Sequence, residues 1–199
     1  MKLVTVSGTS SEVGKTGLVC ELLARLPGWA AVKVTRGHYR SCGRDPDTCC
    51  VSGLLGDEPR VFRERAETDV VGKDTGRYWA AGAADVRWVV VARGQEAAGI
   101  ALALAELAGH PGVVVEGNRV VEGLEPDLAL MVARPGQNEV KVSARRIADR
   151  VDALYVPDGN GDEPATDPGA LIGAPGAWRR PVWGPADLDR IASDLAARG

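Results

Sequence analysis

The sequence predicts an α/β protein: a mostly parallel sheet with helices on both faces, in three layers. Three observations predict it. Short valine-rich runs alternate along the chain with segments of helical spacing, the signature of βαβ units. The strand runs are continuously apolar rather than alternating, as strands covered on both faces must be. The length of 199 residues suits one domain with a real core, spanning 1–199.

The elements follow in order. Residues 2–7 form a buried strand, and residues 14–26 a helix whose Leu18, Leu22 and Leu26 share one face with Val19 and Leu23 beside them. Residues 29–35 read as a second strand. A loop rich in Gly, Asp and Cys spans about 36–56. The spacing then predicts a helix over 73–83, a strand over 86–91, a helix over 95–108, and strands over 112–115 and 127–132. A helix over 143–150, a strand over 153–156, a Gly/Pro/Asp-rich loop over 157–176, a short strand over 181–183 and a final helix over 185–198 complete it. Pro185 suits the first turn of that last helix. No internal repeat is found. In parallel sheets of this kind ligands lie at the carboxyl ends of the strands, so chemistry is expected just after Ser7, Thr35, Val91, Val115 and Val132.

At the first of those places stands Gly8-Thr-Ser-Ser-Glu-Val-Gly-Lys-Thr16, between a strand and a helix. That is the context of a P-loop. Glycines let successive N–H groups curl toward phosphate oxygens, and the helix N-terminus adds its dipole. Gly8, Thr9, Glu12, Val13, Gly14, Lys15, Thr16 and Gly17 are the nucleotide-binding candidates. Lys15 supplies a cation to the β- and γ-phosphates, and Thr16 a hydroxyl to Mg2+. A chance Gly-Lys-Thr would lack the flanking strand and helix. The usual pattern puts four residues between its glycines; here Gly8 and Gly14 are separated by five.

Two further positions belong to triphosphate chemistry. Glu116 follows the strand at 112–115 and can reach Mg2+ or its water, although a solvent-facing Glu beside a turn is the plain alternative. Lys33 sits inside an apolar strand. It is either catalytic, facing a phosphate or anionic substrate, or a snorkelling lysine at a sheet edge. In Asp69–Arg77, Asp74 or Thr75 is read as a helix cap or as part of a substrate or switch loop. Asp158 and Asp162, in a late loop, are candidates for reading guanine.

The loop Gly8–Thr16 resembles that of dethiobiotin synthetase and its relatives, where five-residue spacing is normal. Gly72-Lys-Asp-Thr-Gly-Arg-Tyr-Trp-Ala-Ala-Gly-Ala83 resembles the corresponding segment of the B protein of molybdopterin-guanine dinucleotide synthesis. Glu116-Gly117 is similar to that family's Glu-Gly, and the order of motifs agrees over about residues 1–135. The resemblance implies a P-loop fold, ATP or GTP as ligand, slow Mg2+-dependent hydrolysis, a homodimer, and a role beside cofactor-biosynthesis proteins in molybdenum-cofactor assembly. The sequence departs from that family in having only His38 after the second strand, and Asn118-Arg119 after Glu116-Gly117. A dethiobiotin-synthetase-like ligase, with Lys33 facing substrate, is the alternative.

Cys42, Cys49 and Cys50 share a loop with His38. Three thiolates and an imidazole suit Zn2+, although the adjacent pair is awkward for one ion. An iron–sulfur cluster, redox thiols or plain reduced cysteines are the other readings. A metal-binding accessory protein gated by nucleotide follows from the first two. Cys20, on the first helix, reads as core. A net charge of −3 argues against a nucleic-acid or membrane surface. No apolar run approaches the ~18 residues of a membrane span, and the N-terminus lacks a signal-peptide pattern. The cytoplasm is the expected compartment.

Overall fold

The structure, a computed structural model, describes residues 1–37, 51–135, 139–157 and 167–197. Among the described residues, eight strands form one sheet: β1 (Lys2–Gly8), β2 (Ala30–Arg36), β3 (Arg60–Phe62), β4 (Val86–Val91), β5 (Gly112–Glu116), β6 (Leu128–Val132), β7 (Ala153–Tyr155) and β8 (Val182–Trp183). Their order is β3-β4-β2-β5-β1-β6-β7-β8. Every pairing is parallel except β3 with β4. The fold class is the expected one.

The helices are α1 (Lys15–Arg25), α2 (Arg65–Thr68), α3 (Asp74–Ala80), α4 (Glu96–Glu106), α5 (Val142–Ile147), α6 (Pro168–Leu171) and α7 (Leu188–Ala197). On one face, α1 buries Leu18, Val19, Leu22 and Leu23 against Val4, Val6, Leu130 and Val132, together with Tyr78 of α3 and Leu188 and Ile191 of α7. On the other face, α4 covers Val32, Val89, Val113 and Val115 with Ile100 and Ala103, joined by Leu107 just after it. Ala144 and Ile147 of α5 cover Met131 and Leu154. Side chains alternate across a strand, so Leu130 and Val132 go one way and Ala129 and Met131 the other.

Some elements differ from the sequence reading. Strand β3 and helix α2 lie where no element was expected. They are three and four residues long, too short for a period to show. The expected helix at 143–150 tightens into a 3-10 turn at Ala148–Arg150, and the final one begins with such a turn at Pro185–Asp187. Helix α6 lies inside the expected loop at 157–176, started by Asp167, whose carboxylate accepts from the Gly169 N–H, and by Pro168. No helix among the described residues is long and apolar enough to cross a membrane.

Candidate nucleotide site

The central position of β1 places the loop that follows it. β1 lies between β5 and β6, with Val6 opposite Glu116 and Gly8 opposite Val132. The loop is tied to both neighbours. The Thr9 N–H donates to the Val132 carbonyl at 3.0 Å, the Gly8 N–H to Asn118 Oδ1 at 3.2 Å, and the Gly117 N–H to the Val6 carbonyl at 3.1 Å. From α5's approach, the Lys141 N–H donates to the Thr9 carbonyl at 2.8 Å and Lys141 Nζ to Ser11 Oγ at 2.7 Å.

The loop curls through two left-handed residues, Glu12 with φ 57° and Gly14 with φ 110°. Glycine takes that conformation freely and glutamate does not. Gly8 has another task. A Cβ there would lie 2.7 Å from Val13 Cγ1 and 2.9 Å from the Lys15 stem. Val13 is fully buried and Lys15 folds back over the loop, its Nζ donating to the Ser10 carbonyl at 3.0 Å. Burial, opposed by the Glu116 carboxylate, leaves the Lys15 ammonium below its ordinary pKa.

Below Lys15 lies a polar cluster inside an apolar surround. Lys33 and Glu116 are register partners across β2 and β5. Lys33 Nζ lies 2.5 Å from Glu116 Oε1 and 2.6 Å from Asp74 Oδ2. Glu116 is 1% exposed. Thr16 Oγ1 lies 2.9 Å from Glu116 Oε2 and 3.0 Å from Asp74 Oδ1. The buried Tyr78 hydroxyl donates to Glu116 Oε2. Asp74 and Tyr78, four residues apart on α3, present the same helix face. The charges hold one another. Burial opposes ionisation at Lys33, but Glu116 and Asp74 outweigh it and raise its pKa. Burial likewise opposes the Asp74 charge, and the Lys33 contact outweighs it and lowers that pKa. Burial beside Glu116 pushes the Tyr78 phenol well up.

The Thr16–Asp74–Glu116 oxygens fit Mg2+. Octahedral coordination at about 2.0–2.1 Å puts neighbouring ligand oxygens about 3 Å apart. The two separations from Thr16 Oγ1, 2.9 and 3.0 Å, match that edge. A threonine hydroxyl has one proton and cannot donate to both carboxylates at once; Tyr78 supplies a second donor to Glu116 Oε2.

The plain alternatives raised for two residues do not hold. Lys33 is on an interior strand between β4 and β5, not at an edge, and its ammonium is engaged by two carboxylates. Glu116 closes β5 and is buried rather than solvent-facing. Sequence reasoning missed Tyr78 entirely and read Asp74 only as a cap or loop residue. The signal available was their i, i+4 spacing on a helix whose start carries an acid. Cys20 is half-buried against the core, its thiol 3.6 Å from the Arg77 carbonyl. His38, Cys42, Cys49, Cys50, Asp158 and Asp162 lie outside the described residues.

α3 is positioned by Gly76. A Cβ there would fall 2.2 Å from the Val70 carbonyl oxygen, and backbone cannot swing aside as a side chain can. Gly76→Ala is expected to destabilise the fold by about 1–3 kcal/mol, the usual cost of overpacking. Chemical denaturation will show it as a lower midpoint at unchanged slope.

No protein-family model matches the chain, and no curated protein matches it in sequence. Among solved structures, the chain is similar to the crystal structure of "apo" form LpxK from Aquifex aeolicus in complex with ATP. The TM-score is 0.50 and the identity 16%, over 92% of this chain and 53% of that one. The chain therefore spans about half the length of that protein, and the likeness is one of fold. With the eight-stranded, mostly parallel sheet and the loop between β1 and α1, the chain shares that structure's α/β fold.

Proposed function

We propose that this chain binds ATP or GTP with Mg2+ at the Gly8–Thr16 loop and hydrolyses it slowly. The observation that carries this is the Thr16 hydroxyl held between the Asp74 and Glu116 carboxylates, directly after Lys15. Mg2+ bound there would neutralise charge on the β- and γ-phosphates. The chain's own groups do the rest. Loop N–H groups and Lys15 hold the phosphates, Lys33 bridges Glu116 and Asp74, and catalysis is positioning and electrostatics. The ATP bound to LpxK supports a purine nucleotide as ligand.

For the cellular role we propose cofactor assembly of the molybdopterin-guanine dinucleotide kind. It is supported by the order of Gly8–Thr16, Lys33, Gly72–Ala83 and Glu116 along the chain, and by Lys33, Asp74 and Glu116 meeting in one cluster. Homodimerisation and partner proteins of that pathway belong to the same proposal. The ligase alternative requires Lys33 to face substrate, and its engagement by two carboxylates disfavours that.

The magnesium dependence of nucleotide binding tests the proposal. ATP and GTP are titrated calorimetrically into the chain at rising Mg2+. Asp74→Asn keeps the shape and removes the charge. Loss of a group holding a metal or its bound water costs about 10- to 100-fold in metal affinity, so half-saturation should shift upward by about that factor. Nucleotide binding indifferent to both Mg2+ and Asp74→Asn would remove the proposal's basis.

A further inference from the structure

We infer that a second ligand, a phosphorylated small molecule, binds beside the nucleotide in an arginine-lined cleft at the carboxyl edge of the sheet. This rests on the nucleotide reading above. The cleft of about 460 Å³ that contains Lys15, Lys33 and Glu116 also reaches Arg36, Arg119, Lys141 and Ser143. Those same four residues line an adjoining cleft of about 470 Å³, which adds Arg93 and Arg146. The two clefts share these four side chains as lining.

The cations come from four separate places in the chain. Arg36 ends β2, Arg93 follows β4, Arg119 follows β5, and Lys141 and Arg146 flank the start of α5 and lie within it. Arg36, Arg93 and Arg119 are at a strand end or just beyond one, where parallel sheets gather ligands, and Lys141 and Arg146 join them from the start of α5 and from within it. No acidic side chain lines the second cleft among the described residues. Glu96 stands behind it, 3.5 Å from Arg36 and 3.9 Å from Arg119, and Glu122 holds Arg119 at 3.1 Å. Among the described residues, Arg93, Lys141 and Arg146 have no acidic partner.

A chain of net charge −3 thus concentrates five cations around one cavity. Mutual repulsion makes that costly without an anion, and a concave wall focuses the field. Four of the five are arginines, whose flat fork matches phosphate oxygens in pairs. A solvated surface needs no such convergence on a cavity. The ligand's side of the site also follows. Thr16, Glu116 and Lys33 lie toward β5 and β2, and the arginine cleft opens from there. The second ligand therefore sits on the magnesium side of the loop, away from Arg134 and Pro157, which approach Gly14.

The test uses the full chain and two titrations. The first adds a non-hydrolysable ATP analogue with Mg2+ and reports on the nucleotide reading alone. The second adds pyrophosphate to chain already saturated with that analogue, with Mg2+ in excess over both anions. The expected result is one further binding event. Arg93→Ala/Arg146→Ala should weaken it at least about tenfold, as the loss of charge-assisted phosphate contacts does. Both side chains are exposed and outside the phosphate-loop cleft, so analogue affinity should stay within about twofold. Absence of pyrophosphate binding to the saturated chain would overturn the inference. So would binding that the double variant leaves unchanged. If the first titration fails, the nucleotide reading falls, and pyrophosphate is titrated into Lys15→Ala to judge the cleft by itself.

Discussion

Lys15→Ala is expected to lower nucleotide affinity by about 2–5 kcal/mol, the cost of truncating one partner of a buried charged contact. That is a loss of roughly 30-fold or more. The fold should survive, because the hydrogen bond lost is the one to the Ser10 carbonyl and α1 is held by its leucine face. Removal even lifts a desolvated charge. Proton linkage provides a second readout. The Lys15 pKa is lowered from its ordinary value, by burial first, and a bound phosphate favours the ammonium. Binding therefore takes up a proton once Lys15 begins to lose its own. Affinity should fall as pH rises through that lowered pKa, earlier than an exposed lysine would give. Calorimetry in buffers of different ionisation enthalpy measures the uptake. Affinity unchanged in Lys15→Ala would refute the assignment of the loop.

The second large effect concerns stability. Lys33→Met leaves Glu116, 1% exposed, as a buried carboxylate without its nearest cation. Breaking one side of a buried pair costs about 3–5 kcal/mol, a fall in melting temperature of about 6–20 °C for a chain of this size. Two controls separate charge from packing. Lys33→Met/Glu116→Gln removes both partners and should recover much of the loss. Mg2+ should also stabilise Lys33→Met more than the parent, since it offers the carboxylates another cation. The Lys33 and Asp74 contributions do not change near neutrality. Lys33 is raised, so its contribution is full below the unfolded value of 10.5 and is lost only as pH climbs through the higher folded one. Asp74 is lowered, so its contribution is present above 3.8 and is lost as pH falls through the folded value. A melting temperature for Lys33→Met equal to that of the parent would show that the cluster carries no net stability.

The parallel sheet was legible because valine runs need no partner to be recognised, and the phosphate loop because its glycines and Lys15 lie within nine consecutive positions. The cluster beneath it was not. Lys33 and Glu116 are 83 positions apart, and only the β2–β5 register makes them neighbours. β5 follows β4 in the chain yet inserts between β2 and β1, a crossover no local pattern announces. Tyr78 reads as an ordinary apolar helix residue, since nothing in Arg77-Tyr-Trp says its hydroxyl ends on a carboxylate. The arginines were invisible for the same reason. Arg36, Arg93 and Arg119 are single basic residues at or after strand ends and Arg146 lies in α5, and only the fold collects them.

Gly8 has a consequence for how such loops are found. Its φ is not among the positive ones; what it supplies is clearance, under Val13 and the Lys15 stem. Thr9 is unsuited to that task, being 1% exposed and hydrogen-bonded to Val132. The separation of the two glycines is then an outcome of reach: how far the lysine must fold back before it crosses the strand's last residue. A search that counts intervening residues passes over this loop. One that asks which position must be bare for the lysine to lie down would find it whatever the count.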